Sequence, residues 1–336
     1  MKPNGKSGAV GRLMRPAVAL AVALGTGAAM VVGSAGVAQA APIFSGIPGL
    51  QDLPGQPDVA SPLLETQVFP GGPTVGGVLG VPAQGQDSGA LAPANFGTPS
   101  ITPNEGDVVG VAQPIIIRFP SAVSDRGAAE QAMRVTAGGG ELSGAFHWFS
   151  DTQVRWRPEA LWPGNTTVTV QAGDATRTFQ IGDAVVATAD DATKTITITR
   201  NGEVVKTMPT SMGKAGYETP NGIYTVGDKH RDYVMDSTTL GVPLSDPQGY
   251  RVTVDTAVRM SNSGIFLHSA PWSMWAQGNT NTSHGCLNVS PADGEWFMQN
   301  TKRGDAVVVV NTTGGAINGH DGLTDFSMPW GEWVNE

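Results

Sequence analysis

The sequence predicts a mainly β protein built as two β-rich units in series, the second with one short helix and a C-terminal tail. Three observations point there. The chain has 336 residues, more than the roughly 100 to 200 of one compact domain. Its 45 Gly and 24 Pro imply many turns. From residue 101 onward, short apolar runs of strand length recur between turn residues. Hydrophobic residues make up 40% of the chain and charged residues 15%, enough apolar side chain to build cores.

The first 40 residues stand apart from this pattern. Lys2, Lys6, Arg12 and Arg15 precede an apolar run from Ala17 to Val32, and Ala38-Gln39-Ala40 supplies a small-x-small cleavage site, the layout of a secretory signal peptide. A retained membrane anchor is the other reading. It fits less well, because the run is short and Gly-interrupted against the ~20 residues a span needs. The expected location is therefore the periplasmic or cell-wall space, with membrane anchoring if the leader is not cleaved. The leader holds four of the 20 basic residues and no acidic one, leaving 16 basic against 29 acidic, a net charge of −13. That argues against nucleic acid or anionic membrane as partners, since both demand basic patches. Residues 41–100 are rich in Pro, Gly, Ala and Gln, lack Lys and Arg, and show no sustained period, so a flexible stalk is expected.

Residues 101–182 carry strand-length runs at Ile115 to Phe119, Gln153 to Arg157, Thr166 to Ala172 and Thr176 to Ile181, with one helix-like piece near Ala128 to Arg134. About eighty residues of short strands suggest an immunoglobulin-like β-sandwich. His147, between Phe146 and Trp148, reads as a packing or surface residue.

Residues 183–312 form the second unit. Thr193 to Thr199 alternates strictly, Asn201-Gly202 is a two-residue hairpin signal, and Glu203 to Thr207 returns. Gly222 to Val226, Ile265 to His268 and Val307 to Val310 add strands. Ser290 as N-cap and Pro291 at the first helical position start the helix, and Lys302-Arg303-Gly304 stops it. The tail, residues 313–336, holds Met328, Trp330 and Trp333, costly to leave in water, and is expected to pack back on the second unit.

The chain has a single cysteine, Cys286, in a sequence that reads as exported, so no internal disulfide can form. It is either a buried inert thiol or a reactive one. Cys286 stands in Ser283-His284-Gly285-Cys286-Leu287-Asn288, with Ile265-Phe266-Leu267-His268-Ser269 upstream. Acyl transfer by a thiol needs a neighbouring imidazole to generate the thiolate, and both His268 and His284 are candidates. Gly285 lets backbone approach a substrate closely, and the amides of this turn could serve an oxyanion. A metal site is the rival use of Cys and His, but no H-E-x-x-H or paired C-x-x-C is present.

His268-Ser269 followed by Ser283-His284-Gly285-Cys286-Leu287-Asn288 closely resembles the signature of the L,D-transpeptidase (YkuD) family. Met212-Gly213 with Thr219-Pro220-Asn221-Gly222-Ile223-Tyr224 resembles that family's early G...TPxGxY element. The sandwich, the stalk and the Trp-rich tail resemble actinobacterial members with an immunoglobulin-like domain before the catalytic domain. The resemblance implies a reaction: attack on the third-residue carbonyl of a peptidoglycan tetrapeptide stem, loss of D-Ala, and transfer from a thioester to a neighbouring stem, giving a 3→3 cross-link. Donor tetrapeptide and acceptor stem are the implied partners, and carbapenem-type β-lactams the implied covalent inhibitors. No cofactor and no metal are implied.

Carried over residue by residue, the resemblance makes Cys286 the nucleophile and His268 the acid/base, oriented by the Ser269 carbonyl. His284 and Gly285 build the loop around the thiol. The Gly285 and Cys286 amides with the Tyr250 hydroxyl are the implied oxyanion donors. Tyr250, Ser263, Gly264 and Asn288 match substrate-contacting positions, and Met235 and Trp272 match walls of the cleft. His284 stays open as a second base, being adjacent to the thiol. The chain departs from several relatives at Leu240, in the expected lid from Asp228 to Tyr250, and at Asn262. His230 with Lys229 and Arg231 suggests a basic lid tip facing an anionic stem, the plainer reading being an exposed loop. Because the thioester stage is shared, an L,D-carboxypeptidase or a protein-to-peptidoglycan ligase are alternatives, as is a non-catalytic wall-binding module.

Overall fold

The computed structural model describes residues 90–335, so the expected leader and most of the expected stalk lie outside the described residues. The first unit is a two-sheet sandwich. One sheet runs in the order β1 (Ser100–Thr102), β3 (Ile115–Arg118), β7 (Gln153–Pro158), β6 (Gly144–Ser150). The other runs β2 (Val108–Val109), β9 (Ala175–Ile181), β8 (Thr166–Ala172), β4 (Met133–Ala137), β5 (Gly140–Glu141). Period-2 alternation sets its core: in β8, Val168, Val170 and Ala172 are buried while Thr167 and Gln171 face outward. The helix-like stretch is shorter and earlier than its sequence suggests. α1 spans Arg126–Gln131, capped by the Asp125 carboxylate accepting from Ala128 N at 3.0 Å. Met133 and Val135 then alternate into the core as strand, so burial overrides helix propensity there. The sandwich also begins before residue 101. Ala92 N donates to Gln131 O at 3.1 Å and Phe96 packs edge-on against Phe119, contacts that an irregular segment does not advertise in its periodicity.

The second unit packs a five-stranded sheet against a four-stranded one. The first has the order β12 (Glu203–Pro209), β11 (Thr195–Arg200), β10 (Val185–Asp190), β18 (Ala306–Val310), β13 (Gly222–Thr225). Asn201 and Gly202 adopt φ of 52° and 87° in the β11–β12 turn, the left-handed pair that a two-residue hairpin requires. β18 is buried along its whole length because both faces are covered. Val307 and Val309 join the core between the two sheets, and Val308 and Val310 join the core shared with the sandwich. This explains its unbroken valine run.

The four-stranded sheet has the order β14 (Lys229–Asp236), β15 (Arg251–Arg259), β16 (Phe266–Ser269), β17 (Leu287–Val289), and it carries His268 on β16 with Cys286 just ahead of β17. Helix α2 (Pro291–Asn300) lies across β15 and β16. Ser290 Oγ accepts from Asp293 N at 3.1 Å and Pro291 occupies the first turn, as their residue types predict. Gly294 permits the close approach, since a Cβ there would sit 2.6 Å from Thr256 Oγ1.

The basic cluster expected at a lid tip sits instead at the base of the β14–β15 hairpin. Lys229 Nζ donates to Met298 O at 2.6 Å and to Thr301 O, serving the C-terminal carbonyls of α2, and Arg231 pairs bidentately with Glu295. His230 stacks on Tyr233. The tip proper is the 3-10 turn Ser237–Leu240 and the loop to Tyr250.

The tail packs on both units, not on the second alone. Ser327 Oγ accepts from Ile223 N at 2.7 Å, joining the tail to β13, and Trp333 is fully buried with its indole donating to Ala145 O at 2.9 Å in the sandwich. His147 Nδ1 donates to Trp333 O at 3.1 Å, and Arg155 pairs with buried Asp325 at 2.7 Å.

Candidate active site

The strand register places the two halves of the sequence signature side by side. β16 runs parallel to β17 with His268 opposite Asn288, so Cys286, just ahead of β17, comes beside Phe266 at the start of β16, two residues before His268. The early sequence element holds this loop from the other side. Gly213 bridges Ser283, Thr219 Oγ1 accepts from Gly213 N at 3.0 Å, and the same hydroxyl donates to Gly285 O at 2.9 Å. Thr219 therefore pins the carbonyl immediately before Cys286. Gly285 itself has φ of 113°, which a side chain would strain. Ser283 Oγ donates to Cys286 O at 2.6 Å and accepts from Gly285 N at 3.1 Å, closing the turn.

Cys286 and His268 line one cavity of about 320 Å³ together with Met235, Tyr250, Trp272 and His284. Ser283 and Asn288 complete its polar wall. His268 is buried, and its Nδ1 lies 3.0 Å from Ser269 O. A carbonyl can only accept, so Nδ1 carries the proton and Nε2 is left as a free base. Burial pulls the imidazole down to about 4, against a smaller upward pull from the Ser269 carbonyl. Burial pushes the Cys286 thiol up to about 11, and the Phe266 backbone hydrogen bond opposes this. Because Cys286 keeps a face on the cavity, water there moderates the rise. The resting pair is thus neutral thiol and neutral imidazole, and the thiol donates to Gly264 O at 3.7 Å.

The remaining predicted residues separate by position. Ser269 is fully buried and acts on the site only through its carbonyl, its hydroxyl accepting from Thr256 N at 3.2 Å. The Gly285 amide is engaged by Ser283 Oγ, so of the two backbone donors expected at an oxyanion only the Cys286 N–H has no protein acceptor among the described residues. The Tyr250 hydroxyl is likewise unengaged among them, and burial first, then Cys286 and Asp236, pushes it up to about 12, so it remains a donor. Asn288 donates to Ser273 Oγ at 3.1 Å, while its buried Oδ1 has no partner. Ser263 and Gly264 line a second cavity that also reaches Cys286, and Gly264 has φ of 101°. His284 Nε2 lies 3.3 Å from Gln248 Oε1, which also accepts from Lys214, and the ring packs between Tyr217 and Tyr250. Burial and then Lys214 lower its pKa. Lys214, Tyr217 and Gln248 carry no pattern that marks them in the sequence. Only folding brings them around the Cys286 loop.

Residues 84–175 match the family described as bacterial Ig domain, and residues 184–309 match the YkuD family, described as L,D-transpeptidase catalytic domain. The chain is 51% identical over 256 residues to L,D-transpeptidase 2 of Mycobacterium tuberculosis, covering 72% of this chain and 62% of that protein. It is 42% identical to L,D-transpeptidase 1 of the same organism over 64% of this chain and 85% of the relative. The chain belongs to the L,D-transpeptidase (YkuD) family. Among solved L,D-transpeptidases, LdtMt1 in complex with imipenem aligns with a TM-score of 0.60 at 42% identity, covering 63% of this chain and 97% of that one. L,D-transpeptidase 3 from Mycobacterium tuberculosis aligns with a TM-score of 0.58 at 37% identity, over 63% of this chain and 98% of that one. The chain spans less than two thirds of the length of L,D-transpeptidase 2.

Proposed function

We propose that the protein is an exported peptidoglycan L,D-transpeptidase that forms 3→3 cross-links through a Cys286 thioester. The observation that carries the reading is the shared cavity of Cys286 and His268, with Nδ1 tied to a carbonyl and Nε2 free. The donor is a tetrapeptide stem with a meso-diaminopimelate third residue. As Sγ attacks the third-residue carbonyl, its proton passes to His268 Nε2. The oxyanion is met by the Cys286 N–H and the Tyr250 hydroxyl. The imidazolium then protonates the departing D-Ala amine, leaving a thioester. The side-chain amine of a neighbouring stem attacks it, His268 takes that amine's proton, and the thiol is regenerated. Carbapenem-type β-lactams acylate the same thiol. The basic and apolar leader supports export to the periplasmic or cell-wall space.

Incubation with purified tetrapeptide muropeptides, read by mass spectrometry, is expected to yield D-Ala and 3→3 dimers. Tripeptide without dimer would mean a carboxypeptidase. No change in the muropeptides would overturn the enzymatic reading.

The buried imidazole sets the pH dependence. Its folded pKa is depressed to about 4, so it stays an unprotonated base down to that pH. The acid limb of kcat/KM for acylation is expected near pH 4, not near the ordinary histidine value of about 6.5. A limb near 6.5 would contradict a buried base.

A further inference from the structure

The second cavity, about 280 Å³, shares Cys286, Met235 and Tyr250 with the first and is lined by a cation that the chemistry above does not use. Arg259 closes β15 and is half-buried on this cavity's wall, its guanidinium 4.5 Å above the Phe266 ring. Of its five N–H donors, two are engaged among the described residues, both at long range: one to Ser261 O at 3.3 Å and one to the Tyr233 hydroxyl at 3.4 Å. Neither partner is anionic. No carboxylate lies within 4.0 Å of it among the described residues, whereas Arg126, Arg155, Arg231, Arg251 and Arg303 each pair with one. The acid on the same wall, Asp236, is already held by Arg251 and by the Thr238 amide and hydroxyl. Asp321, near the cavity rim, accepts from the Asn262 and Ser263 amides. A partly desolvated guanidinium with spare donors and no counter-ion is a receptor for a carboxylate, which it can grip bidentately.

The reacting groups carry such an anion. The departing D-Ala and the entering meso-diaminopimelate centre are both D-α-amino acid ends, each with a carboxylate on the carbon that bears the reacting nitrogen. By microscopic reversibility the entering amine takes the place that the leaving amine vacates. One cation beside that place can therefore serve both. We propose that Arg259 binds the D-α-amino carboxylate that leaves or enters at the Cys286 thioester, and so selects which stems react. This deepens the transpeptidase reading and rests on it.

The test compares matched substrates on the full chain. The donor arm follows D-Ala or D-alaninamide release from tetrapeptides ending in a carboxylate or a carboxamide. The acceptor arm follows dimer formation with a carboxylate or a carboxamide beside the attacking amine. The wild type is expected to favour the carboxylate by about tenfold or more in kcat/KM. Arg259→Met should bring that ratio close to one, and Arg259→Lys should keep part of it. The ratio is independent of the fraction of variant that folds. Collapse in either arm supports the proposal and identifies the group bound. A preference unchanged by Arg259→Met in both arms, no wild-type preference in either, or an equal loss on all substrates overturns it while leaving the transpeptidase reading standing. No release from any donor by the wild type overturns both.

Discussion

Replacing His268 by alanine is expected to slow acylation of Cys286 by roughly a hundred- to ten-thousand-fold. The size follows from the electrostatics of the pair. A thiol pushed above its ordinary value by burial is overwhelmingly protonated at pH 7, so an unaided Cys286 is a poor nucleophile. His268 is the imidazole placed to take its proton, because the Ser269 carbonyl occupies Nδ1 and leaves Nε2 on the cavity side. His284 is the control that separates this account from a general need for imidazole. Its Nε2 is held by Gln248 and its ring is wedged between two tyrosines, so His284→Ala should cost far less than His268→Ala. His147→Ala, remote from the thiol and bonded to Trp333 O, should leave the rate close to wild type. The rate of mass increase with a carbapenem reads all three, and Cys286→Ala should show no increase. Equal rates for His268→Ala and His147→Ala would refute the assigned base.

Arg155→Ala is expected to destabilise the fold by about 3–5 kcal/mol, with a fall in melting temperature on the order of 10 °C. Arg155 reaches from the sandwich to Asp325 in the tail at 2.7 and 3.0 Å, and the two side chains are 10% and 1% exposed. Burial pushes the Asp325 carboxyl up, and Arg155 is the largest influence pulling it back. Removing the cation leaves that carboxylate without the guanidinium nitrogen from which both its oxygens accept, in a buried site. Replacing both residues by apolar ones, Arg155→Met with Asp325→Leu, should recover most of the loss, since the cost lies in the orphaned charge. Thermal denaturation measures both. An unchanged melting temperature in Arg155→Ala would show that the tail does not depend on this pair.

The parts of this architecture that were legible in the sequence are those with local physical signatures. Thr166 to Ala172 alternates and is a strand, Asn201-Gly202 turns, and Ser290-Pro291 starts a helix, each within a residue or two of where its chemistry places it. That Cys286 and His268 come together was legible because each sits in a short run, His268 on β16 and Cys286 just ahead of the adjacent β17, while the choice of His268 over His284 came from the family resemblance. What stayed hidden depends on long-range partners. Lys229, His230 and Arg231 read as a basic loop, yet they lie on a strand whose cations serve helix α2, a destination no local pattern encodes. The alternation of Arg251–Arg259 was available as a strand signal but is masked by its flanking loop. The tail's apolar residues announced burial, not against which unit. Gln248 and Lys214, which hold His284, meet it only through the fold.

The most direct test of the account is the intact mass of the full chain during incubation with a tetrapeptide stem, followed by peptide mapping. The expected species is heavier by the stem less D-alanine, carried on Cys286 and discharged when acceptor stem is added. A stable absence of adduct while D-Ala is released, or an adduct on any other residue, would contradict a thioester at Cys286.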